Sequence, residues 1–236
     1  MLRNDYLIFG DVDTRVFRVG IYGDKLAQAP ERDQEFVSVP GRDGDLILDN
    51  GRYKNITVSY KAYIVRGYNE NMRGLRNALM SQKGYQRLQD TINPEEFRLG
   101  KAIPFSIQEH GQLKAGEFTM QFVCKPQRFL TEGEIPIEVS AATSLLNQYE
   151  EAKPLIRAYG TGSFTIGDVS VQITSANTYT DIDCELQEAF KDTLATNCNG
   201  NIVLTNGVFP SLKKGTNAIS MSGITKLEIT PRWWIL

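Results

Sequence analysis

The chain has 236 residues, of which 41% are hydrophobic and 23% are charged, and its formal net charge is −2. This composition is typical of a globular protein with a sizeable core and argues against intrinsic disorder. The slightly negative charge also argues against nucleic acid as the main partner.

The three cysteines and the hydropathy profile exclude further classes. Cys124, Cys184 and Cys198 are odd in number and lack CxxC spacing, which argues against a disulfide framework or a zinc site. The first ten residues carry no apolar core of a secretory signal, and no apolar run approaches the length of a membrane span. We therefore expect a protein made in the cytosol, with reduced thiols and no membrane partner.

Taken in chain order, the first predicted strands are residues 16–22 and 35–39. The next segment, 40–45, reads Pro-Gly-Arg-Asp-Gly-Asp and is followed by Leu-Ile-Leu. Its two glycines and Asp-Gly pair predict a loop or a long hairpin tip, whose strands could project from the body of the protein.

Residues 52–65 give the clearest strand, because apolar residues fall on every second position. One face carries Ile56, Val58, Tyr60, Ala62 and Ile64. Residues 117–124 repeat the pattern with Phe118, Met120, Phe122 and Cys124.

One helix is predicted near residues 70–82, between these two strands. Asn69 is its predicted cap, Met72, Leu75 and Leu79 follow helical spacing, and Gly84 is placed to end it in a left-handed conformation. Residues 93–96, Asn-Pro-Glu-Glu, fit either the start of a second helix or a turn with proline at its first corner.

The composition changes near Pro136. Residues 1–136 hold 19 Lys and Arg against 18 Asp and Glu, whereas residues 137–236 hold 7 against 10. The second part consists of short predicted strands separated by Gly-rich or Asn-rich turns, a pattern typical of a β-sandwich. We predict two domains, 1–136 and 137–236.

The chain ends on Pro-Arg-Trp-Trp-Ile-Leu, so that both tryptophans lie at the carboxyl terminus. An apolar terminus left free in water would form a sticky patch. Trp233 and Trp234 are therefore predicted to anchor a last strand in the core, and the alternative is that they bind a partner at an interface.

The candidates for catalysis are weak. His110 is the one histidine, and the sequence has no nucleophile elbow for it to serve. Asp181, Asp183 and Glu185 could bind calcium or act as acid and base, but a solvated strand edge is the favoured explanation. Gly-Thr-Gly at 160–162 lacks the lysine and the helix of a phosphate loop. We predict no enzymatic activity, no metal site and no cofactor.

Four segments, in this order and at this chain length, carry a family resemblance: Val-Pro-Gly-Arg-Asp-Gly at 39–44, Lys-Pro-Leu-Ile-Arg-Ala-Tyr-Gly-Thr-Gly at 153–162, Phe-Pro-Ser-Leu-Lys-Lys-Gly-Thr-Asn-Ala-Ile-Ser at 209–220, and the final Pro-Arg-Trp-Trp. With them the chain resembles the distal tail protein (Dit) family of siphophages that infect Gram-positive bacteria. The resemblance implies a mainly β fold. An N-terminal β-sandwich-like, ring-forming domain with one helix and a projecting hairpin would precede a C-terminal galectin-like β-sandwich.

The resemblance also implies a function in assembly. Such a protein would be a virion structural protein made in the bacterial cytoplasm, the baseplate hub at the tip of a phage or prophage tail. It would form a homo-hexameric ring that joins the tail tube protein to a tail-tip fibre or lysin protein and supports receptor-binding proteins. DNA would pass through its channel.

A closed ring needs a head-to-tail contact between copies. The predicted hairpin is a candidate, because a two-stranded arm can add to the sheet edge of the next subunit. Arg42, Asp43 and Asp45 would then pair across the junction, and a solvated tip without a partner is the alternative.

A second function stays open, that of a carbohydrate-binding module which anchors a tail or a secretion apparatus to the host cell wall. Its sugar site would need an exposed aromatic beside a few polar groups. The aromatic candidates are Tyr159, Phe164, Tyr179, Phe190 and Phe209.

Overall fold

The computed structural model describes residues 5–27, 29–105 and 114–236, with only the backbone described at 24–27. His110 lies outside these residues. The chain divides into two compact units, Met1–Arg128 with Leu236, and Phe129–Ile235. The division thus falls after residue 128, where the sequence placed it after residue 136, and the ring-forming and galectin-like roles of the two parts stay predictions. Across the described ranges, no helix is long and apolar enough to cross a membrane.

The first unit combines β-strands with one α-helix and a short 3₁₀ turn at Thr14–Phe17. Its elements are β1 Leu7–Phe9, β2 Val12–Asp13, β3 Val19–Ala27, β4 Arg32–Val37, β5 Leu46–Tyr53, β6 Ile56–Ile64, α1 Tyr68–Ser81, β7 Gln86–Asp90, β8 Glu96–Ala102 and β9 Gly116–Cys124.

Seven of these strands form one antiparallel sheet in the order β2-β1-β7-β8-β9-β6-β3. Its centre is the long pairing of β6 with β9, from Ile56 opposite Cys124 to Ile64 opposite Gly116. The sheet curls back on itself, because Asp5, just before β1, bridges Ile21 in β3 at the far end of that order. Helix α1 packs Met72, Leu75 and Leu79 into the core that the curled sheet encloses.

Most sequence predictions for this unit are confirmed, with shifted bounds. In β6 the five predicted positions from Ile56 to Ile64 are all buried, but residues 52 and 53 belong to β5. The helix begins at Tyr68 after Gly67, which has φ +66°, so the prediction that Asn69 caps it is wrong. Gly84 is left-handed as predicted, although the helix has already ended at Ser81. Residues 93–96 form the turn, closed by Glu96 N–H donating to the Asn93 carbonyl at 3.2 Å.

The second unit is a β-sandwich of two antiparallel sheets. Its elements are β10 Arg128–Leu130, β11 Ile137–Val139, β12 Thr143–Asn147, β13 Leu155–Tyr159, β14 Gly162–Ile166, β15 Val169–Ile173, β16 Tyr179–Asp183, β17 Glu188–Lys191, β18 Thr193–Asn197, β19 Ile202–Leu204, β20 Gly215–Ser222, β21 Lys226–Thr230 and β22 Trp234–Ile235, with 3₁₀ turns at Thr131–Glu134, Asn199–Asn201 and Thr205–Gly207.

One sheet has the order β11-β21-β13-β16-β17-β18 and the other β12-β20-β14-β15-β19. Alternate residues of both sheets point into one shared core, in which Ile156 and Leu227 of the first sheet meet Phe164 and Val171 of the second. The predicted mainly β fold, with one helix in the first unit and a sandwich in the second, is therefore confirmed.

One glycine of the Gly-Thr-Gly segment and a second glycine after β20 allow two backbones to touch rather than cradle a phosphate. Gly162 has φ +152°, and a Cβ added there would lie 2.2 Å from the Ser222 carbonyl oxygen. Gly223 makes the same close approach from the other backbone, since a Cβ added there would lie 2.8 Å from the Thr161 carbonyl oxygen. Any side chain at Gly162 would push the β13–β14 turn away from the end of β20.

Replacing Gly162 by alanine should therefore destabilise the protein. We expect Gly162→Ala to lower the free energy of unfolding by about 2–3 kcal/mol, as strained backbone and overpacking substitutions do. Urea unfolding would measure it. Gly200→Ala is the matched control, because its new Cβ meets nothing within 4 Å, and its effect should stay within about 0.5 kcal/mol. Equal unfolding midpoints for the two variants would contradict this account of the turn.

Candidate assembly surface

The predicted hairpin is present and forms a sheet of its own. Among the described strands, β4 and β5 pair only with each other, from Val37 opposite Leu46 to Arg32 opposite Tyr53. No residue from 31 to 55, a stretch that is described throughout, is buried. The hairpin is thus an arm that shares no core with the rest of its unit.

Apolar side chains lie on both faces of this arm. Residues directly opposite each other on paired strands lie on the same face, and the next pair along lies on the other face. Phe36 and Ile47 oppose each other on one face and are 62% and 52% exposed. The other face carries Leu48, which is 46% exposed, beside the pair formed by Val37 and Leu46. An isolated two-stranded hairpin with both faces in water is marginally stable, and its apolar side chains invite a partner.

Charged side chains fix the base of the arm. Asp49 accepts hydrogen bonds from the Gln34 amide at 3.0 Å and from the Gly51 N–H at 2.7 Å, and Arg32 lies 3.1 Å away. These contacts, with that of Gln34 the largest, lower the pKa of Asp49. Arg52 pairs with Asp33 at 2.7 Å. Polar contacts between its two strands therefore hold the hairpin together at its base, without burial.

The tip places the three predicted interface residues in water. Arg42 N–H donates to the Val39 carbonyl at 3.2 Å, with proline at the first corner and Gly41 at φ +80°, which is the geometry of a type II turn. Arg42, Asp43 and Asp45 are all exposed. None of them forms an ion pair with a residue that the structure describes. Their role between subunits stays a prediction.

The terminal tryptophans lie within the second unit. Trp233 is 7% exposed, and its ring centroid lies 6.1 Å from that of Tyr149. Trp234 is half-buried, and its indole N–H donates to the Glu151 carbonyl at 2.9 Å. Gly133 allows the close approach of this segment, because an added Cβ would lie 2.3 Å from the Trp233 nitrogen.

Arg232 holds the same segment by charge. It adopts φ +57°, and its guanidinium donates to both oxygens of Asp183, at 2.8 and 2.7 Å. Burial would raise the pKa of Asp183, but the bonds from Arg232 and from the Leu186 and Glu185 N–H groups lower it overall. The terminal segment is thus held by apolar burial and by a two-pronged ion pair.

The carboxylates and aromatics considered for chemistry already have partners. Asp181 accepts two bonds from Arg157, at 2.7 and 3.1 Å, and Asp183 accepts those from Arg232. The Arg157 guanidinium also lies 4.2 Å from the centroid of the Tyr179 ring. The remaining aromatic candidates are buried or partly buried: Phe164, Phe190 and Phe209. Among the described residues, no cluster of His, Cys, Asp and Glu could hold a metal ion.

The apolar residues of the arm are the part of the surface that the sequence interpretation missed. The predicted interface residues were the charged ones of the tip, whereas Phe36, Ile47 and Leu48 are large apolar side chains that are also exposed. A signal was present, since Leu-Ile-Leu at 46–48 directly follows a glycine-rich turn and cannot be buried by a hairpin alone.

Comparison with known proteins supports the fold. No family model matches the chain, and no curated protein matches it. A solved structure does: the crystal structure of the Dit protein of phage SPP1, described as a paradigm of the hub adsorption apparatus in phages that infect Gram-positive bacteria. The match covers 95% of this chain and 97% of that chain, with a TM-score of 0.70 and 14% sequence identity.

The chain has the Dit fold. At 14% identity the likeness concerns the path of the backbone. The resemblance drawn from four short segments is thereby confirmed at the level of the fold.

The Asp183–Arg232 pair gives a pH-dependent prediction for the terminal segment. Because the pKa of Asp183 is lowered on folding, its contribution is complete above its ordinary value of 3.8 and is lost as the pH falls through the lower folded value. Asp183→Asn should cost about 2 kcal/mol at pH 7, since it leaves a partly buried guanidinium without its charge partner. The difference from wild type should shrink below about pH 4.

Urea unfolding at pH 7, 5 and 3.5 would measure this difference. Asp168→Asn is the control, because Asp168 and its partner Lys213 are 75% and 62% exposed, and such pairs contribute less than about 1 kcal/mol. A constant difference between Asp183→Asn and wild type at all three pH values would contradict the role given to the ion pair.

Proposed function

We propose that this chain is a structural subunit of the hub at the tip of a phage or prophage tail. The Dit fold supports the proposal, because the chain and the SPP1 hub protein align over almost their whole lengths. The β4–β5 arm carries it further, since it offers a surface suited to contact between copies.

The arm is the single observation on which the assembly proposal rests. Its apolar side chains are exposed on both faces, so one face can lie on a neighbouring copy while the other meets a second surface. A projecting arm on one side and a receiving surface on the other make a head-to-tail contact, which closes into a ring if the rotation allows. The arms would thus link each subunit to the next.

The finer features of the proposal follow from the family resemblance. The ring would contain six copies, meet the tail tube protein on one face and a fibre or lysin protein on the other, and support receptor-binding proteins outside. DNA would pass through its channel, and the protein would reside in the virion after synthesis in the host cytoplasm. The second unit would take the galectin-like position on the outside.

We propose no enzymatic role. Asp181 and Asp183, the best placed carboxylates, are each engaged by an arginine that fixes the sheet or the terminal segment. Both act within the fold.

Carbohydrate binding stays the second candidate and lacks a supporting contact. Tyr159 and Tyr179 are partly exposed and lie opposite each other on adjacent strands of the six-stranded sheet, with ring centroids 5.5 Å apart. Lys226 lies 4.5 Å from the Tyr159 centroid, and Arg157 lies 4.2 Å from that of Tyr179. A sugar that stacked on either ring would have to displace a cation, which favours assembly as the function.

Removing the apolar surface of the arm should abolish the ring. Wild type is expected at about 159 kDa, six times the 26.5 kDa chain mass. Phe36→Ser/Ile47→Ser is expected as a monomer with the melting temperature of wild type diluted below its assembly concentration, because both side chains are exposed in the single chain and only assembly adds further stability. Light scattering and native mass spectrometry over a concentration series would measure the mass.

The matched control is Leu194→Ser/Val203→Ser, which removes two apolar side chains that are 53% and 55% exposed in the second unit. It should assemble as wild type does. If the arm variant assembled equally well, the arm would not be the contact between copies.

A further inference from the structure

An open cleft of about 610 Å³ lies in the first unit beside the start of β3. Its walls come from the segments around Asp5, from the 3₁₀ turn and from the end of β6. Three arginines line it, Arg15, Arg18 and Arg66, against one carboxylate, that of Asp5. The cleft is therefore a positively charged site.

Two of the three arginines form no ion pair with the residues that the structure describes. Arg15 pairs with Asp13 at 2.6 Å and lies 3.9 Å above the centroid of the Tyr6 ring. Arg18 and Arg66 are exposed, and neither forms an ion pair with a carboxylate of the described residues. The cleft thus presents two guanidinium groups to an acidic ligand.

The floor of the cleft is largely apolar. Gly20 has no side chain, and the Tyr63 ring occupies that space, 2.5 Å from where a Cβ would lie. Val65 lines the cleft with 66% of its side chain exposed, and Val16, beside Arg15, is 73% exposed. A ligand that fills this cleft needs acidic groups with apolar neighbours.

The hairpin tip has that chemistry. Asp43 and Asp45 are exposed and lack ion-pair partners among the described residues, and they are followed directly by the exposed side chains of Leu46 and Ile47. Within a single chain, the tip and the cleft are both exposed to solvent. The two surfaces are complementary in charge and in apolar character.

We propose that the cleft is the receiving surface for the hairpin tip of a second copy, with Asp43 and Asp45 placed against Arg18 and Arg66. This inference rests on the proposed function, because it supplies the second half of the head-to-tail contact. It deepens that function by assigning the residues that select the neighbour.

Nucleic acid is the competing ligand for an arginine cleft. The apolar floor favours a protein segment, since phosphate groups gain nothing from Val65 or from the Tyr63 ring beside Gly20. Binding of DNA is therefore an outcome that the test must separate.

Charge reversal on each side tests the contact. Asp43→Arg/Asp45→Arg and Arg18→Glu/Arg66→Glu should each raise the concentration at half-assembly by at least about tenfold, because like charges then face each other. An equimolar mixture of the two variants should assemble again, since every tip then finds a cleft of opposite charge. Lys83→Glu/Lys101→Glu, two exposed lysines outside the cleft, is the control and should assemble normally.

Cross-linking gives a readout that does not need a complete ring. Asp43→Cys and Arg66→Cys chains, both carrying Cys198→Ser, would be mixed and treated with a short bis-maleimide. The mixed dimer should exceed that of Asp43→Cys with Lys83→Cys by about tenfold, because a specific contact raises the local concentration of the two thiols. Cys124 and Cys184 are buried, so they leave the background low.

The outcomes separate this inference from the proposed function. Loss of assembly by both reversals, rescue in the mixture and the specific cross-link support it. A wild-type ring that neither reversal weakens, with no excess cross-link, overturns the cleft contact and leaves the ring intact. If the specific cross-link forms but the protein never assembles beyond a dimer, the result supports the contact and counts against the ring. A cleft variant that loses affinity for a fluorescent DNA duplex while assembling normally assigns the cleft to nucleic acid and overturns the inference.

Discussion

A hairpin of two strands cannot bury apolar side chains against itself, and the apolar faces of the arm therefore need a further surface to cover them. The β4–β5 arm exposes Phe36 and Ile47 on one face and Leu48 on the other. Ion pairs such as Arg52 with Asp33 join its two strands at the base, and none of its residues is buried. A single copy therefore keeps an arm that only a further surface can cover.

The second unit, in contrast to the arm, has a core of its own. Its two sheets share one core, and the terminal segment is held down by the burial of Trp233 and by the Arg232–Asp183 pair. Burial raises the pKa of the Cys184 thiol in that core to about 12, which keeps it protonated and unreactive. One unit is thus closed upon itself, and the other carries an exposed arm and an exposed cationic cleft. This difference suits a subunit whose first part makes the contacts of a ring.

Local patterns in the sequence predicted much of the fold. Alternation along β6 and β9 determines which side chains are buried, and proline at position 94 marks a turn. The errors arose where a short-range hydrogen bond or a backbone conformation decided the outcome. The Asp13 carboxylate accepts the Arg15 N–H at the start of the 3₁₀ turn Thr14–Phe17, so residues 16 and 17, predicted as the start of a strand, belong to that turn. Gly67 in the left-handed region starts the helix two residues before the predicted cap.

The site was harder to predict, because its parts are distant in sequence. The cleft joins residues 5–20 to residues 63–66, and no local pattern announces that Arg18 and Arg66 share a surface. Asp183 and Arg232 are 49 residues apart, so their pairing was equally hidden. The tip residues were predicted because glycines and charges mark a hairpin turn. The apolar faces behind them become apparent only from the strand pairing and from their exposure among the described residues.

The central claim is that a neighbouring copy covers the arm, and amide hydrogen exchange followed by mass spectrometry tests it most directly. The amides of β4 and β5 would be compared between dilute and concentrated protein, with those of β6 as an internal reference. The account predicts rapid exchange in the dilute chain and strong protection of both strands at high concentration, while β6 stays protected throughout. Exchange of β4 and β5 that is independent of concentration, in a sample shown to be assembled, would contradict it.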